Sequence, residues 1–357
     1  MDFGRTWTIE QFMGRWREPT SGDPPPSPPS YRPVAGGRDA MLTANLRLHM
    51  TDEGWQLQEG MKEAGYRLFG GSPESERDVN GILRESRGLR TLLVQDRREW
   101  DDSHPACFDK QSPFLNWRSL ADRDDVFKVT VVKDAQHDRE FHRESAVGMG
   151  IHAWVHYYHP RIVASLCPWI RPRNMIRVWH TVDRDAIPPY SPAGRRGCLL
   201  SGAIMGKYYP LRLRLKRNML AFPDTHFLPH PGYGTCGAAT PKFLKTLSGF
   251  KAAICTASVY GYSLRKIIEA TACGCVVLTD LPFEDRIPEI DGNLVRIPPD
   301  VEIPEMAETI RRVVGEYDPE RQAEFAKLAA RRFDYRAECR RLAEEIEKAR
   351  NEYAVRD

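Results

Sequence analysis

The residues best arranged for chemistry lie between Ile254 and Pro282, in Ile254-Cys-Thr-Ala-Ser-Val-Tyr-Gly-Tyr-Ser-Leu-Arg-Lys-Ile-Ile-Glu-Ala-Thr-Ala-Cys-Gly-Cys-Val-Val-Leu-Thr-Asp-Leu-Pro282. An apolar run suited to a strand ends in small residues. An amphipathic helix is predicted from Ser263 to Cys273, Gly274 stops it, and a second apolar run follows. A helix N-terminus beyond a strand's carboxyl end presents free N–H groups and a positive dipole end, which suits a diphosphate. Arg265 and Lys266 stand in that first turn, where their charge opposes the dipole, so a bound anion is the natural reason for them. Glu269, one turn on, has the reach and the acceptor oxygens to hold a ribose beside the diphosphate. A helix without a ligand explains the glycine but not the two cations.

Lys266-Ile-Ile-Glu-Ala-Thr-Ala-Cys-Gly274, Val276-Val-Leu-Thr-Asp-Leu-Pro282 and Glu289-Ile-Asp-Gly-Asn-Leu294 together resemble the donor domain of nucleotide-sugar glycosyltransferases of the GT-B fold, group 1-like. In that family a K-x-x-E-A-x-A-C-G helix precedes a strand ending in D-x-P. The resemblance covers about residues 197–316; over 40–185 only the strand-helix rhythm is shared. It implies an α/β protein of two Rossmann-like doubly wound domains facing a cleft, with C-terminal closing helices. The implied activity is transfer of a sugar from a nucleoside-diphosphate sugar to a hydroxyl-bearing acceptor, with the sugar nucleotide as substrate and no cofactor or metal. Glu269 is then the ribose ligand, and Tyr262, Ser263 and Leu264 supply backbone contacts to phosphate. One position departs: members with a paired-glutamate motif carry another glutamate eight positions earlier, where this chain has Gly261.

Gly197 to Arg217 reads as a strand, a glycine loop at Gly202 and a helix opened by Pro210, and it is similar to the first strand and loop of the same donor domain. Arg212 would meet the diphosphate from the opposite side, with Lys207 or Lys216 as further cations; a solvated basic face is the simpler alternative. Leu228-Pro-His-Pro-Gly-Tyr-Gly234 is a strand end running into a rigid turn. The resemblance places the nucleobase near His230, Gly232 and Tyr233, and a plain turn is the alternative.

A base for the acceptor hydroxyl must come from another strand end, because carboxyl ends of strands face the cleft in such folds. Asp96, Asp134, His137 and His180 are the candidates, with N-capping as the competing role for the aspartates. His152, His156 and His159 invite a metal reading, but their branched and aromatic neighbours favour a strand and no acidic or cysteine motif completes a site.

The elements that must position these residues follow from the pattern. Strands are predicted at Met41–His49, Tyr66–Phe69, Thr91–Gln95, Phe127–Val132, His152–Tyr158 and Met175–Trp179. A second set is predicted at Cys198–Ser201, Thr225–Leu228, Ala252–Cys255, Val276–Leu278 and Leu294–Ile297. Amphipathic stretches between them, and a helical run from Glu320 to about Ala354, give two α/β domains. Residues 1–39 read as a proline-rich extension whose Trp7, Phe12 and Trp16 form a short amphipathic helix. The acceptor domain spans 40–185, the proline-rich linker 186–196 and the donor domain 197–333, with a helix over 334–357 returning to the first domain.

At 357 residues, two domains are the natural division. No apolar stretch is long enough to span a bilayer and no secretory signal is visible, so a cytoplasmic protein is expected. Eight scattered cysteines without a Cys-x-x-Cys pair are read as reduced thiols. A net charge of +3 gives no general pull towards polyanions, so a nucleobase in DNA is a weakly supported acceptor beside a glycan or small molecule. The other functional classes are a nucleotide-sugar epimerase of related fold and a non-catalytic binding protein.

Overall fold

The computed structural model describes residues 7–16, 27–33, 36–44, 52–70, 75–85, 88–104, 113–231 and 236–354. The chain forms two compact units, one of Met1–Pro19 with His180–Asp334 and one of Thr20–Trp179 with Tyr335–Asp357. The division falls at Trp179 and His180, ahead of the linker 186–196 expected to mark it. The reason is local: Val182 N–H donates to Phe333 O at 2.9 Å and bridges Asp334, which ties 180–183 to the later unit. The first residues are also not a uniform extension. Helix α1 (Ile9–Trp16) groups with the later unit, whereas residues 27–33 group with the other.

The unit built on Thr20–Trp179 carries strands β1 (Arg38–Leu42), β2 (Arg67–Phe69), β3 (Leu89–Val94), β4 (Phe127–Val132), β5 (Ala153–His156) and β6 (Met175–Arg177). They form one parallel sheet in the order β2-β1-β3-β4-β5-β6. Helices α2 (Asp52–Glu63), α3 (Val79–Glu85), α4 (Arg139–Met149) and α5 (Pro160–Leu166) connect them. Parallel strands are covered on both faces, which is why β4 reads Phe-Lys-Val-Thr-Val-Val and is buried throughout. Residues 45–49 of the first expected strand lie outside the described residues.

The other unit carries β7 (Arg196–Gly202), β8 (Thr225–Pro229), β9 (Phe250–Ile254), β10 (Val276–Thr279) and β11 (Leu294–Arg296), parallel in the order β11-β10-β9-β7-β8. Its helices are α6 (Pro210–Arg217), α7 (Cys236–Leu247), α8 (Arg265–Ala272), α9 (Ile303–Gly315) and α10 (Pro319–Arg332). Cys198, Leu200, Leu211, Leu215, Ile254, Leu278, Met306 and Ile310 share one buried core. The expected single run after Glu320 is two helices, α10 and then α11 (Tyr335–Ala354), broken at Phe333-Asp334 where the chain passes from one unit to the other. Helix α11 is held by Glu338, whose carboxylate accepts from Trp179 N–H at 2.7 Å and from Arg341.

One buried cation fixes the far end of α8. Arg195 donates to Ser191 O, Phe250 O, Gly274 O and Cys273 O at 2.7–3.3 Å. Two of these carbonyls lie just past the C-terminal end of α8, where the helix dipole is negative. The six described free cysteines are all buried. Among the described residues, no helix is long and apolar enough to cross a membrane.

Two predictions follow from this packing. Arg195→Ala removes four guanidinium hydrogen bonds to buried and part-buried carbonyls and should cost about 2–4 kcal/mol in urea unfolding. The second concerns His152 and His156, which are fully buried. His152 Nδ1 accepts from Lys128 N–H and its Nε2 faces Ser30 O, while His156 Nδ1 donates to Tyr158 O. Burial, with Lys128 beside one ring and Arg177 beside the other, pushes their pKa values down to about 4 and about 3. Unfolded, each takes a proton near pH 6.5, so their contribution is complete above that pH. It is lost as pH falls, at up to ~1.4 kcal/mol per unit for each ring. Melting temperature should therefore drop between pH 6.5 and 4, and His156→Gln should make that drop shallower.

Candidate functional site

In the sheet order β11-β10-β9-β7-β8 the direction of winding reverses between β7 and β9. Ligands of doubly wound sheets bind at that switch, outside the strand carboxyl ends. Gly202 ends β7, and Thr256 lies just beyond β9. The site is built on these two ends.

Gly202 has φ +117°, a conformation that favours glycine. A Cβ placed there would stand 2.5 Å from Lys266 Nζ and 2.6 Å from Arg212 Nη1, so the two cations are no more than about 5 Å apart. Arg212 is buried at 2% exposure, and three contacts aim it: Nε to Thr256 Oγ1 at 3.1 Å, Nη1 to Ala203 O at 3.0 Å, and its guanidinium over the Tyr209 ring at 4.0 Å. Lys266 comes from the first turn of α8 and lies 5.5 Å from the centre of the Phe243 ring. Repulsion between two cations this close is about 3 kcal/mol at an effective dielectric of about 20, and a diphosphate relieves it.

Half-buried His230 sits just past β8. Burial lowers its pKa, and Lys266 and Arg212 lower it further, so the ring is neutral beside the two cations. The loop from Thr256 to Leu264 is tied down at both strand ends. Ala257 N–H donates to Asp280 Oδ1 at 2.6 Å, and Val259 N–H to Tyr208 O at 2.8 Å. Tyr262 and Ser263 are buried, and Leu264 stands at the N-cap of α8 without a side-chain cap. The helix thus begins two residues later than expected, at Arg265.

Arg265 and Lys266 turn out to differ. Arg265 Nε lies 3.2 Å from Glu269 Oε1, a pairing one helical turn apart, so Arg265 is accounted for within α8. Lys266 is the cation that reaches Gly202. Glu269 is 5% exposed and stands on the same helix. Lys207 is exposed, with Nζ 5.6 Å from the centre of the Tyr208 ring. Lys216 covers the Phe227 ring on the sheet edge. Gly232 and Tyr233 lie outside the described residues. Thr256, which sets Arg212, was not singled out from sequence, and Asp280, which sets the loop, was quoted only as the aspartate of the D-x-P motif without a role; their position at the ends of predicted strands was the available signal.

On the six-stranded sheet, Asp96, Asp134 and His137 follow β3 and β4. Asp96 is unsuited to be a base. It is 1% exposed, its oxygens accept from Arg98 Nη2 at 2.8 Å, Arg98 N and Lys133 N, and it N-caps a short turn. Burial alone would raise its pKa, but the Arg98 guanidinium, with His142, holds it well below the usual carboxylate range. Asp134 sits at φ +44° and accepts from Tyr158 Oη at 3.3 Å, and His137 N–H donates to Asp134 O at 2.8 Å. His180 belongs to the other unit and is buried. Of the three histidines weighed for a metal, His152 and His156 hold backbone groups and His159 caps α5.

No family model matches the chain, and no curated protein matches it in sequence. Solved structures do. The chain is similar to sucrose-phosphate synthase from Thermosynechococcus elongatus, with a TM-score of 0.55 at 11% identity over 88% of this chain and 99% of that one. It is similar to Anabaena HepE in complex with UDP and glucose, with a TM-score of 0.52 at 11% identity over 88% and 100%. It is also similar to AviGT4, a glycosyltransferase involved in avilamycin A biosynthesis, with a TM-score of 0.50 at 11% identity over 88% and 98%. Two parallel sheets of six and five strands with this likeness give the chain the GT-B fold.

Proposed function

We propose that the chain is a glycosyltransferase that takes a sugar from a nucleoside-diphosphate sugar and passes it to a hydroxyl-bearing acceptor in the cytoplasm. The observation that carries this reading is the pair Arg212 and Lys266 over Gly202, at the switch between β7 and β9 and beside the first turn of α8. That arrangement suits a diphosphate, and His230 and Glu269 flank it where base and ribose would extend. The structural relatives' own subject matter agrees: HepE was solved with UDP and glucose.

In the transfer, an acceptor oxygen bonds to the anomeric carbon as the bond from that carbon to the diphosphate oxygen breaks. The hydroxyl proton leaves to a base, and the nucleoside diphosphate departs with the electron pair. Charge grows on the departing oxygen, and preorganised cations there stabilise the transition state more than the ground state. We infer that Arg212, Lys266 and the N-terminal N–H groups of α8 supply this, so that the diphosphate is neutralised by protein groups in a metal-independent reaction. For the base, Asp134, His137 and His180 remain; Asp96 does not.

Isothermal titration with UDP and with GDP tests the assignment. Wild type should bind at least one of them. Gly202→Ala should weaken that binding by about 10-fold or more, since the methyl takes the space of both cations; tenfold corresponds to ~1.4 kcal/mol. Glu269→Ala should weaken it by about 3–10-fold through the lost ribose contact, on the order of one charge-assisted hydrogen bond. No binding of either nucleotide to wild type contradicts the reading.

A further inference from the structure

Helix α1 lies far from the site in sequence, yet it is clamped to the loops that carry the site. Phe283 N–H donates to Trp7 O at 3.0 Å, and Ile9 N–H donates to the Glu284 carboxylate at 3.2–3.3 Å. Ile9 and Phe12 are buried at 0% and 2% exposure, and Trp7 meets Phe12 edge-on with ring centres 6.1 Å apart. An eight-residue helix is too short to be stable alone, so this docking is what makes it a helix.

The contact point is Gly261. With φ +70°, a Cβ there would lie 3.0 Å from Pro282 Cγ and 3.3 Å from Phe12 Cγ and Cδ1. The space a side chain at 261 would claim is therefore filled by Phe12 and Pro282. From Gly261 the loop leads back along the backbone, through a series of hydrogen bonds, to Arg212. Gly261 N–H donates to Ser258 O at 2.8 Å, Ala257 N–H to Asp280 Oδ1 at 2.6 Å, and Thr256 Oγ1 accepts from Arg212 Nε at 3.1 Å. Asp280 and Pro282 belong to one short loop, so the space beside Gly261 is bounded by Phe12 on one side and on the other by the loop that carries Asp280.

We propose that Phe12 is a positioning residue for the loop 256–264, setting through Gly261 and Pro282 the placement of Thr256, Arg212 and the start of α8; this rests on the nucleotide-sugar reading above. Asp280 and Tyr208 tie the loop at Ala257 and Val259, and the stretch beyond them, where Gly261 lies, leads into α8; a shift of a fraction of an ångström there loosens the grip of cations aimed at a diphosphate. The helix contributed from the chain's start removes that freedom.

The test compares wild type, Phe12→Ala, Phe12→Leu and Glu284→Ala by titration with UDP and GDP and by thermal melting. Phe12→Ala should raise the nucleotide Kd about 5–10-fold, the size expected for a small misplacement of binding groups. Its main melting transition should hold, because a short docked helix opens locally. Phe12→Leu should recover most of the affinity, and Glu284→Ala should show a smaller loss in the same direction. Should Phe12→Ala not fold, Phe12→Leu and Glu284→Ala decide the matter. Wild-type affinity in Phe12→Ala, or in Glu284→Ala where Phe12→Ala does not fold, overturns the proposal, as does a loss of melting temperature with unchanged Kd. A wild type that binds neither nucleotide overturns the functional reading instead.

Discussion

Lys266 and Arg212 stand over the same glycine, and the rest of the five-stranded unit is arranged so that they can. Left to themselves, two like charges within about 5 Å would move apart. Arg212 is kept in place by Thr256 and Ala203 on its guanidinium and by Tyr209 beneath it. The backbone of Lys266 is set by α8, and its four-carbon stem carries Nζ to Gly202. Repulsion between the two cations is relieved when a dianionic group binds between them. This is how a binding site can be both preorganised and selective for charge.

Helix α8 works as a short rod held at both ends. At its C-terminal end Arg195 donates to Cys273 O and Gly274 O and to Phe250 O at the start of β9, so rod and sheet share one clamp. At its N-terminal end the incoming loop is tied to β10 by Asp280 and to the β7–α6 connection through Tyr208. The helix between these anchors is only eight residues long, so little slack reaches Lys266. Glu269 serves this rod as well as any ligand, because it accepts the charge of Arg265 that would otherwise oppose the helix dipole.

Much of this was legible in the sequence because parallel sheets write themselves as unbroken apolar runs. The sequence expectation for β4 matches the observed strand, and the glycine stop at Gly274 and the proline start at Pro210 mark real helix ends. Arg212 and Lys266 were expected from their place at strand-to-helix turns, although the glycine that joins them was not assigned that role. Other features depend on long-range contacts that no local pattern reports. The helical run after Glu320 has uniform composition, yet it breaks at Phe333-Asp334 because Val182 pairs there from far away in sequence. Asp96 looks like a free carboxylate at a strand end, and only the structure shows Arg98 folded back upon it. Arg265 and Lys266 are neighbours of the same type, but helical geometry sends one to Glu269 and the other to Gly202.

The central claim is that the two cations over Gly202 grip a diphosphate. A crystal structure of the protein with UDP or GDP tests it most directly. The account predicts phosphate oxygens within hydrogen-bond distance of Lys266 Nζ and the Arg212 guanidinium, beside the backbone of Gly202, with the ribose towards Glu269. A nucleotide bound elsewhere, with Gly202 and both cations untouched, would contradict it.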